Sequence, residues 1–251
     1  MTTVRDSSEI ARSASEAGKI TILDVDFRRY QNPSADTCYP LEYAFHLLGD
    51  VKDKLVLDYG CGSGEEIVPL RQRGAQVVGI DISPDLIAVA RERLRRHGTD
   101  ADLRVGSAYD TQLADQSVDV VFCMSLLHHL ELDRAKAEIC RVLKPNGLFI
   151  FKEPIRFSGT MKILRRIFPA KEDVSDFEYP LNQKQVNNLA EGFQVLASRY
   201  FRTPLVPLLT RNINSSYLQR NIWLWDAWIM KRVRPLEHFS TTLVVALRRG
   251  A

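Results

Sequence analysis

Leu55-Val56-Leu57-Asp58-Tyr59-Gly60-Cys61-Gly62-Ser63-Gly64 is the stretch whose reading decides the fold. A short apolar run breaks into a loop with glycines at 60, 62 and 64, and a helical segment follows, closed by Gly74. A second apolar run, Val77 to Ile80, ends on Asp81, seventeen residues beyond Gly64. The pattern is strand, glycine loop, helix, strand, with an acid at the tip of the second strand. Units of this kind hold a nucleoside. Glycine lets main chain approach a ligand where a Cβ would collide, and the acid accepts hydrogen bonds from ribose hydroxyls.

The loop chemistry narrows the ligand. A dinucleotide loop reads Gly-x-Gly-x-x-Gly, whereas this one reads Gly-x-Gly-x-Gly behind Asp58. No Lys-Ser/Thr pair follows, which excludes a Walker-type phosphate loop. Glu65 and Glu66 stand at the helix N-terminus, where an anion would otherwise be favoured, and they would repel a diphosphate. The loop suits a cofactor with no phosphate and some positive charge. S-adenosyl-L-methionine fits, with a sulfonium, an ammonium, a carboxylate and an adenosine.

Asp58 to Gly64 resembles the first motif of class I S-adenosylmethionine-dependent methyltransferases. Gly79-Ile80-Asp81-Ile82-Ser83 is similar to their ribose motif. Asp119-Val120-Val121-Phe122 leads into Ser125-Leu126-Leu127-His128-His129-Leu130, and Arg141 to Gly147 forms a turn before the strand Leu148 to Phe151. In this order and spacing the motifs cover about residues 50 to 155, and their flavour is that of the ubiquinone/menaquinone-biosynthesis-like branch of small-molecule enzymes. The resemblance implies a Rossmann-like α/β fold, a seven-stranded, mostly parallel sheet with helices on both faces and its last strand antiparallel. It also implies a cofactor site made of Asp58, Gly60, Cys61, Gly62, Gly64, Asp81, Ile82, Ser107, Ala108 and Ser125. Asp81 would bind the ribose and Ile82 pack on the adenine. Asp58 would orient the loop or reach the cofactor's ammonium through water. Family members often carry an acid where Ser107 stands, so the adenine contact here is expected to be weaker or water-mediated.

Composition agrees with one globular α/β unit. The chain has 251 residues, 45% apolar and 26% charged, which excludes a disordered or membrane-spanning chain. The N-terminus lacks an apolar signal core, no stretch reaches membrane-spanning length, and a cytoplasmic location is expected. Cys38, Cys61, Cys123 and Cys140 have no metal-like spacing and read as free thiols; no metal site is expected. The net charge of +3 is unevenly spread. Residues 152–171 hold six Lys/Arg against one acid and residues 199–234 seven against one, so these segments carry +5 and +6 and the remainder −8. Either these charges are scattered and solvated, or the second half meets an anionic acceptor or surface.

The element reading starts with a polar, frayed segment over 1–20 that holds at most a short helix, and a strand or lid over 21–30. A helix over 40–48 follows. Alternation then predicts strands at 55–58, 76–80, 102–105, 118–122 and 148–152, with helices at 64–73, 84–96 and 131–142. A basic-apolar helix is expected over 159–168, a helix over 182–191, a strand over 193–201 and a strand over 239–247. Residues 1–49 form an N-terminal lid or helical segment. Residues 50–251 form the main domain, with acceptor-side insertions at about 154–180 and 203–235.

Candidate catalytic residues follow the fourth and fifth strands, where open α/β sheets place their sites. His129 or His128 would take a proton from the acceptor, at most one of the two facing it, since adjacent residues point different ways. The competing reading is a strand-to-helix packing feature. Glu153 would orient the acceptor or take a proton, or else pair with Lys152 or Arg156. Tyr30 and Tyr39 would close over the sulfonium, and Arg156 and Trp223 would contact the acceptor. Little acid–base help is needed, because in-line attack on a sulfonium methyl requires alignment and desolvation above all.

Tyr217 to Val233, with Trp223, Trp225 and Trp228, reads as an apolar helix with Leu218, Ile222, Trp225 and Ile229 on one stripe. It is a substrate lid, a peripheral membrane contact or a dimer face, so the chain is a monomer or a homodimer. The expected function is methyl transfer to a small organic acceptor, at oxygen. The alternatives are a lipid or polyprenyl-linked acceptor met at a membrane surface, and, from another class, a nucleic-acid methyltransferase or RNA-binding protein. The last is disfavoured because no Asn/Asp-Pro-Pro-Tyr tetrad follows the fourth strand.

Overall fold

The computed structural model describes residues 4–23, 26–156, 179–203, 205–210 and 213–251. Seven strands, β1 (Leu55–Tyr59), β2 (Gln76–Asp81), β3 (Asp102–Val105), β4 (Val118–Met124), β5 (Leu143–Pro154), β6 (Phe193–Phe201) and β7 (Thr242–Arg249), form one sheet. Their order is β3-β2-β1-β4-β5-β7-β6. Strands β1 to β5 pair in parallel, and β7 runs antiparallel to both β5 and β6. The last strand is the antiparallel one, as expected, and it is inserted between β5 and β6. Strand order reverses at β1, which pairs with both β2 and β4, so a crevice opens beyond the C-terminal ends of those strands.

The described helices are α1 (Val4–Ala17), α2 (Pro40–Leu48), α3 (Ile67–Gln72), α4 (Pro84–Arg96), α5 (Leu132–Val142), α6 (Gln183–Ala190), α7 (Leu205–Thr210) and α8 (Ser216–Arg232). α4 begins where its chemistry dictates: the Ser83 hydroxyl accepts from Leu86 N at 3.3 Å and Pro84 occupies the first turn. α6 carries a full capping box between Asn182 and Gln185.

Helices cover both faces of the sheet. On one side Phe45 of α2 packs on Phe122 of β4, ring centres 5.1 Å apart, with Val56 and Ile87 in the same core. On the other, Leu57, Val121, Leu127, Phe149 and Phe151 form a second core. Because Ala44, Phe45 and Leu48 are fully buried in the first core, residue 49 does not divide two packing units.

Several elements depart from the sequence reading. Residues 4–17 form a complete helix packed on α4, with an Arg12–Glu16 ion pair at 3.0 Å, where a frayed segment was expected. Phe27–Tyr30 is a 3-10 turn, neither strand nor loop, with Asp26 accepting from Arg28 N. β5 starts at Leu143, because Leu143 pairs with Val118 before the register shifts at the Lys144–Gly147 turn, where Asn146 adopts φ +61°. The basic-apolar segment at 159–168 lies outside the described residues.

Gly79 in β2 has no room for a side chain. A Cβ there would lie 2.8 Å from Ile67 Cδ1 and from Leu103 Cδ2, and 3.0 Å from Cys61 Sγ. Gly79→Ala should therefore destabilise the fold by about 1–3 kcal/mol in urea unfolding, and adding Ile67→Val should recover part of that loss. An unchanged midpoint for Gly79→Ala would contradict this packing.

Candidate active site

Two cavities open at the C-terminal edge of the sheet, and Ser125 lines both. The first, about 380 Å³, is walled by the glycine loop, the end of β2, the Gly106–Tyr109 turn and α1. Gly60 N and Cys61 N both donate to Ile80 O, at 2.9 and 3.0 Å, which fastens the loop across β2. Gly62 has φ +48°, and a Cβ there would meet nothing within 4 Å, so bare main chain faces the cavity. Gly60 and Gly64 serve protein packing: a Cβ would meet the Leu126 side chain at 2.7 Å from Gly60 and Ala90 Cβ at 3.0 Å from Gly64. Asp81 closes the unit, its Oδ2 accepting from Gly62 N and its Oδ1 from Ser83 N, both at 2.9 Å.

This cavity is acidic. Glu9, Glu16, Glu65, Glu66 and Asp81 line it. Glu65 is engaged by the buried Arg93, whose Nε also donates to Ser63 O at 2.8 Å. Burial raises the carboxyls of Asp81 and Glu66 above the ordinary range. Asp58 lies behind the loop, 1% exposed and off the cavity wall. Burial, reinforced by Glu66 and Asp81, holds its carboxyl well above the ordinary carboxylate range, and its Oδ2 has no hydrogen-bond partner among the described residues. An orphaned buried carboxylate oxygen, a bare glycine wall and a surplus of acids fit a cationic nucleoside such as S-adenosylmethionine. They do not fit a pyrophosphate.

The second cavity, about 670 Å³, lies across Ser125 and is lined by Tyr30, Tyr39, His128, Lys152, Arg202, Arg220 and Trp223, among others. Its fixed point is Glu153, which is fully buried. Glu153 Oε1 accepts from Leu126 N at 2.8 Å and Leu127 N at 2.7 Å, and Oε2 lies 2.7 Å from His128 Nδ1. A carboxylate already holding two N–H groups requires a donor from the imidazole. Nδ1 therefore carries a proton, and in the neutral ring the lone pair lies on Nε2.

The structure separates the sequence candidates. Gly60, Cys61, Gly62, Asp81, Ile82, Ser107, Ala108 and Ser125 line the first cavity, whereas Gly64 and Asp58 stand behind it. Ser107 Oγ accepts from Tyr109 N at 3.1 Å, and the Ala108 carbonyl accepts the Tyr59 hydroxyl. His128 faces the second cavity; His129 lines the first, its Nδ1 3.4 Å from Glu9 Oε1. Glu153 pairs with His128, with neither Lys152 nor Arg156. Tyr30 and Tyr39 line the second cavity and not the first; the cation over their rings is the Arg29 guanidinium, 5.4 and 4.7 Å away. Trp223 lines the same cavity, edge-on to Tyr39 at 5.0 Å. Arg156 lies off it, its N–H donating to Leu181 O.

Sequence reasoning missed Glu9, Arg12, Ser13 and Glu16 of α1 as walls of the first cavity, and Arg29, Arg202 and Gln219 in the second. Only the i, i+3, i+4, i+7 spacing of the four α1 residues signals a shared helix face.

A family model described as a methyltransferase domain matches residues 57–151. The likeness to that family thus covers residues 57–151. The ubiquinone biosynthesis O-methyltransferase of Yersinia enterocolitica is 31% identical over 150 residues, 58% of this chain and 60% of that protein. The Xanthomonas oryzae protein of the same name is 40% identical over 101 residues, 39% of this chain and 42% of that protein. The chain thus matches at most about three fifths of the length of these relatives. The solved structure of the geranyl diphosphate C-methyltransferase of Streptomyces coelicolor, bound to Mg2+, geranyl diphosphate and S-adenosyl-L-homocysteine, superposes with a TM-score of 0.65 at 14% identity over 98% of both chains. A [4+2]-cyclase superposes with a TM-score of 0.59 at 19% identity, over 98% of this chain and 93% of that one. At these identities the two structures share the fold alone.

The raised carboxyls make cofactor affinity pH-dependent. A cationic ligand favours ionised Asp58, Glu66 and Asp81, whereas the free site holds protons above the ordinary carboxylate range. Binding should therefore release protons, and affinity for S-adenosylmethionine should weaken as pH falls from about 8 towards about 5. Calorimetry in buffers of different ionisation enthalpy reads this directly. Asp58→Asn should shrink the proton release, and an unchanged release would remove Asp58 from the linkage.

Proposed function

We propose that the chain transfers the methyl group of S-adenosylmethionine to a hydroxyl oxygen of a small organic acceptor held in the second cavity. The observation that carries this reading is the His128–Glu153 pair, placed on the acceptor side of Ser125 with one ring nitrogen fixed as a donor. The names of the curated relatives support oxygen as the methylated atom. When bound, S-adenosylmethionine supplies an electrophilic methyl on a good leaving group. His128 Nε2 takes the acceptor's hydroxyl proton as the oxygen bonds to the methyl carbon and the carbon–sulfur bond breaks. Glu153 stabilises the imidazolium so formed. Tyr39 and Trp223 pack the acceptor and exclude water from the line of attack.

A screen of phenols and hydroxy acids scored by S-adenosylhomocysteine release should find an acceptor. With it, His128→Ala should lower kcat by about 10²–10⁴. Glu153→Gln keeps the Oε1 acceptor for the turn but presents an amide to Nδ1; it should lower kcat with little change in KM. Equal turnover by both variants would refute the base assignment, while S-adenosylhomocysteine affinity reports whether the cofactor side survived.

A second reading rests on α8. Its Gln219, Arg220 and Trp223 cover the acceptor cavity, as a lid would. Of the expected apolar stripe Leu218, Trp225 and Ile229 are exposed, Trp225 by 64%, and Ile222 is half-buried; Leu224 and Trp228 beside it are exposed too. Exposed Lys231 and Arg232 follow them, and the Arg232 guanidinium lies 4.0 Å over the Trp228 ring. Such a face suits the surface of an anionic bilayer, from which a lipid-linked acceptor would reach the cavity. No described helix is long and apolar enough to cross a membrane. Flotation with phosphatidylglycerol vesicles should carry the chain upward, and a Trp225→Ala/Trp228→Ala double variant should stay behind. Failure of the native chain to float discards this reading.

A further inference from the structure

We infer that the acceptor carries an oxyanion, a carboxylate or a phosphate, which docks between Arg202 and Arg220 while its hydroxyl meets His128. This inference rests on the methyl-transfer reading and adds the chemical class of the acceptor. Four cations line the second cavity, Arg29, Lys152, Arg202 and Arg220, against one acid, Glu153. That acid is already committed to two backbone N–H groups and His128. Arg29 is neutralised by Glu42, 2.6 Å away. Lys152, Arg202 and Arg220 make no ion pair with any described residue.

Solvated surface charge does not explain this arrangement. Arg202 sits at φ +60°, its guanidinium 4.7 Å over the Trp223 ring, and its Nε is buried without an acceptor. Trp223 Nε1 is a second buried donor without an acceptor. Asp226, whose charge acts on Arg202 without an ion pair, spends Oδ1 on Thr203 N and Thr203 Oγ1, at 3.1 and 2.6 Å. Buried donors without partners are costly, and clustered cations repel. An oxyanion relieves both at once, and arginine forks suit carboxylate and phosphate alike. The cofactor cavity across Ser125 is lined mainly by acids, so an anionic acceptor is drawn to one chamber and kept out of the other.

The test uses the full chain loaded with S-adenosylhomocysteine, with benzoate and inorganic pyrophosphate as probes and benzyl alcohol as the neutral control, followed by calorimetry. At least one anion should bind, at least about tenfold more tightly than benzyl alcohol, and the responding anion tells carboxylate from phosphate. Arg220→Gln alters an exposed side chain and should cost that anion at least about tenfold, as should Arg202→Gln, with S-adenosylhomocysteine affinity unchanged. Binding of neither anion, binding no tighter than that of benzyl alcohol, or native affinity in both variants would overturn the inference. If S-adenosylhomocysteine binds and the anions do not, the inference alone fails. If the anions bind the free chain in an arginine-dependent way and S-adenosylhomocysteine does not bind, the methyl-transfer reading fails and the oxyanion site stands.

Discussion

The Glu153 carboxylate holds the two halves of the site together. It is fully buried, and a buried charge is tolerated only where donors surround it. Its three partners, Leu126 N, Leu127 N and His128 Nδ1, all come from the turn that leaves β4. One side chain at the end of β5 thereby sets the path of the neighbouring strand's exit. Ser125 N donates to Lys152 O at 2.8 Å, and Ser125 takes φ +66° to make that turn. Ser125 is also the residue common to both cavities. The wall between them, the ring that faces the acceptor and the acid that fixes its tautomer are one hydrogen-bonded unit.

Charge is sorted across that wall. On one side, burial raises Asp58, Glu66 and Asp81 above the ordinary carboxylate range, with Glu66 and Asp81 adding to the rise at Asp58. Ionised, such a pocket would favour a cationic ligand over a neutral one of the same shape. On the other side, Lys152, Arg202 and Arg220 lie around aromatic rings.

What could be read from the sequence was what local chemistry encodes. Ser83 and Pro84 place the start of α4 to the residue, and Phe193 to Phe201 reads as β6 with correct limits. The Gly60–Gly64 loop and Asp81 were legible because a nucleoside site needs a fixed spacing within one crossover. α1 was not, for a physical reason. The face it turns to the cavity is polar, Glu9, Arg12, Ser13 and Glu16, and nothing in that composition marks it as the wall of a site. His128 could not be told from His129, because the deciding partner, Glu153, is 25 residues away on another strand. Arg156 reads in sequence as an acceptor contact; its backbone is tied beside a bridge between Ile155 and Leu181, and it does not line the cavity.

The acceptor chamber has a different origin in the chain from the cofactor chamber. Gly60, Gly62, Asp81, Ser107, Ser125 and His128 all fall within residues 57–151, the span matched as a methyltransferase domain. Arg29, Tyr39, Arg202, Arg220 and Trp223 all fall outside it. The sheet brings them together: β7 inserts between β5 and β6, which sets Lys152 opposite Val244 and carries the end of β6, and with it Arg202, to the same rim. Asp226 then fastens α8 to Thr203, next in sequence to Arg202, so Trp223 and Arg220 are positioned relative to that arginine by a side-chain hydrogen bond from their own helix. Likeness to the relatives thus bears on what is bound beside β1 and β2. The cationic and aromatic residues of the second cavity lie outside that span, so their own physical chemistry bears on what they hold.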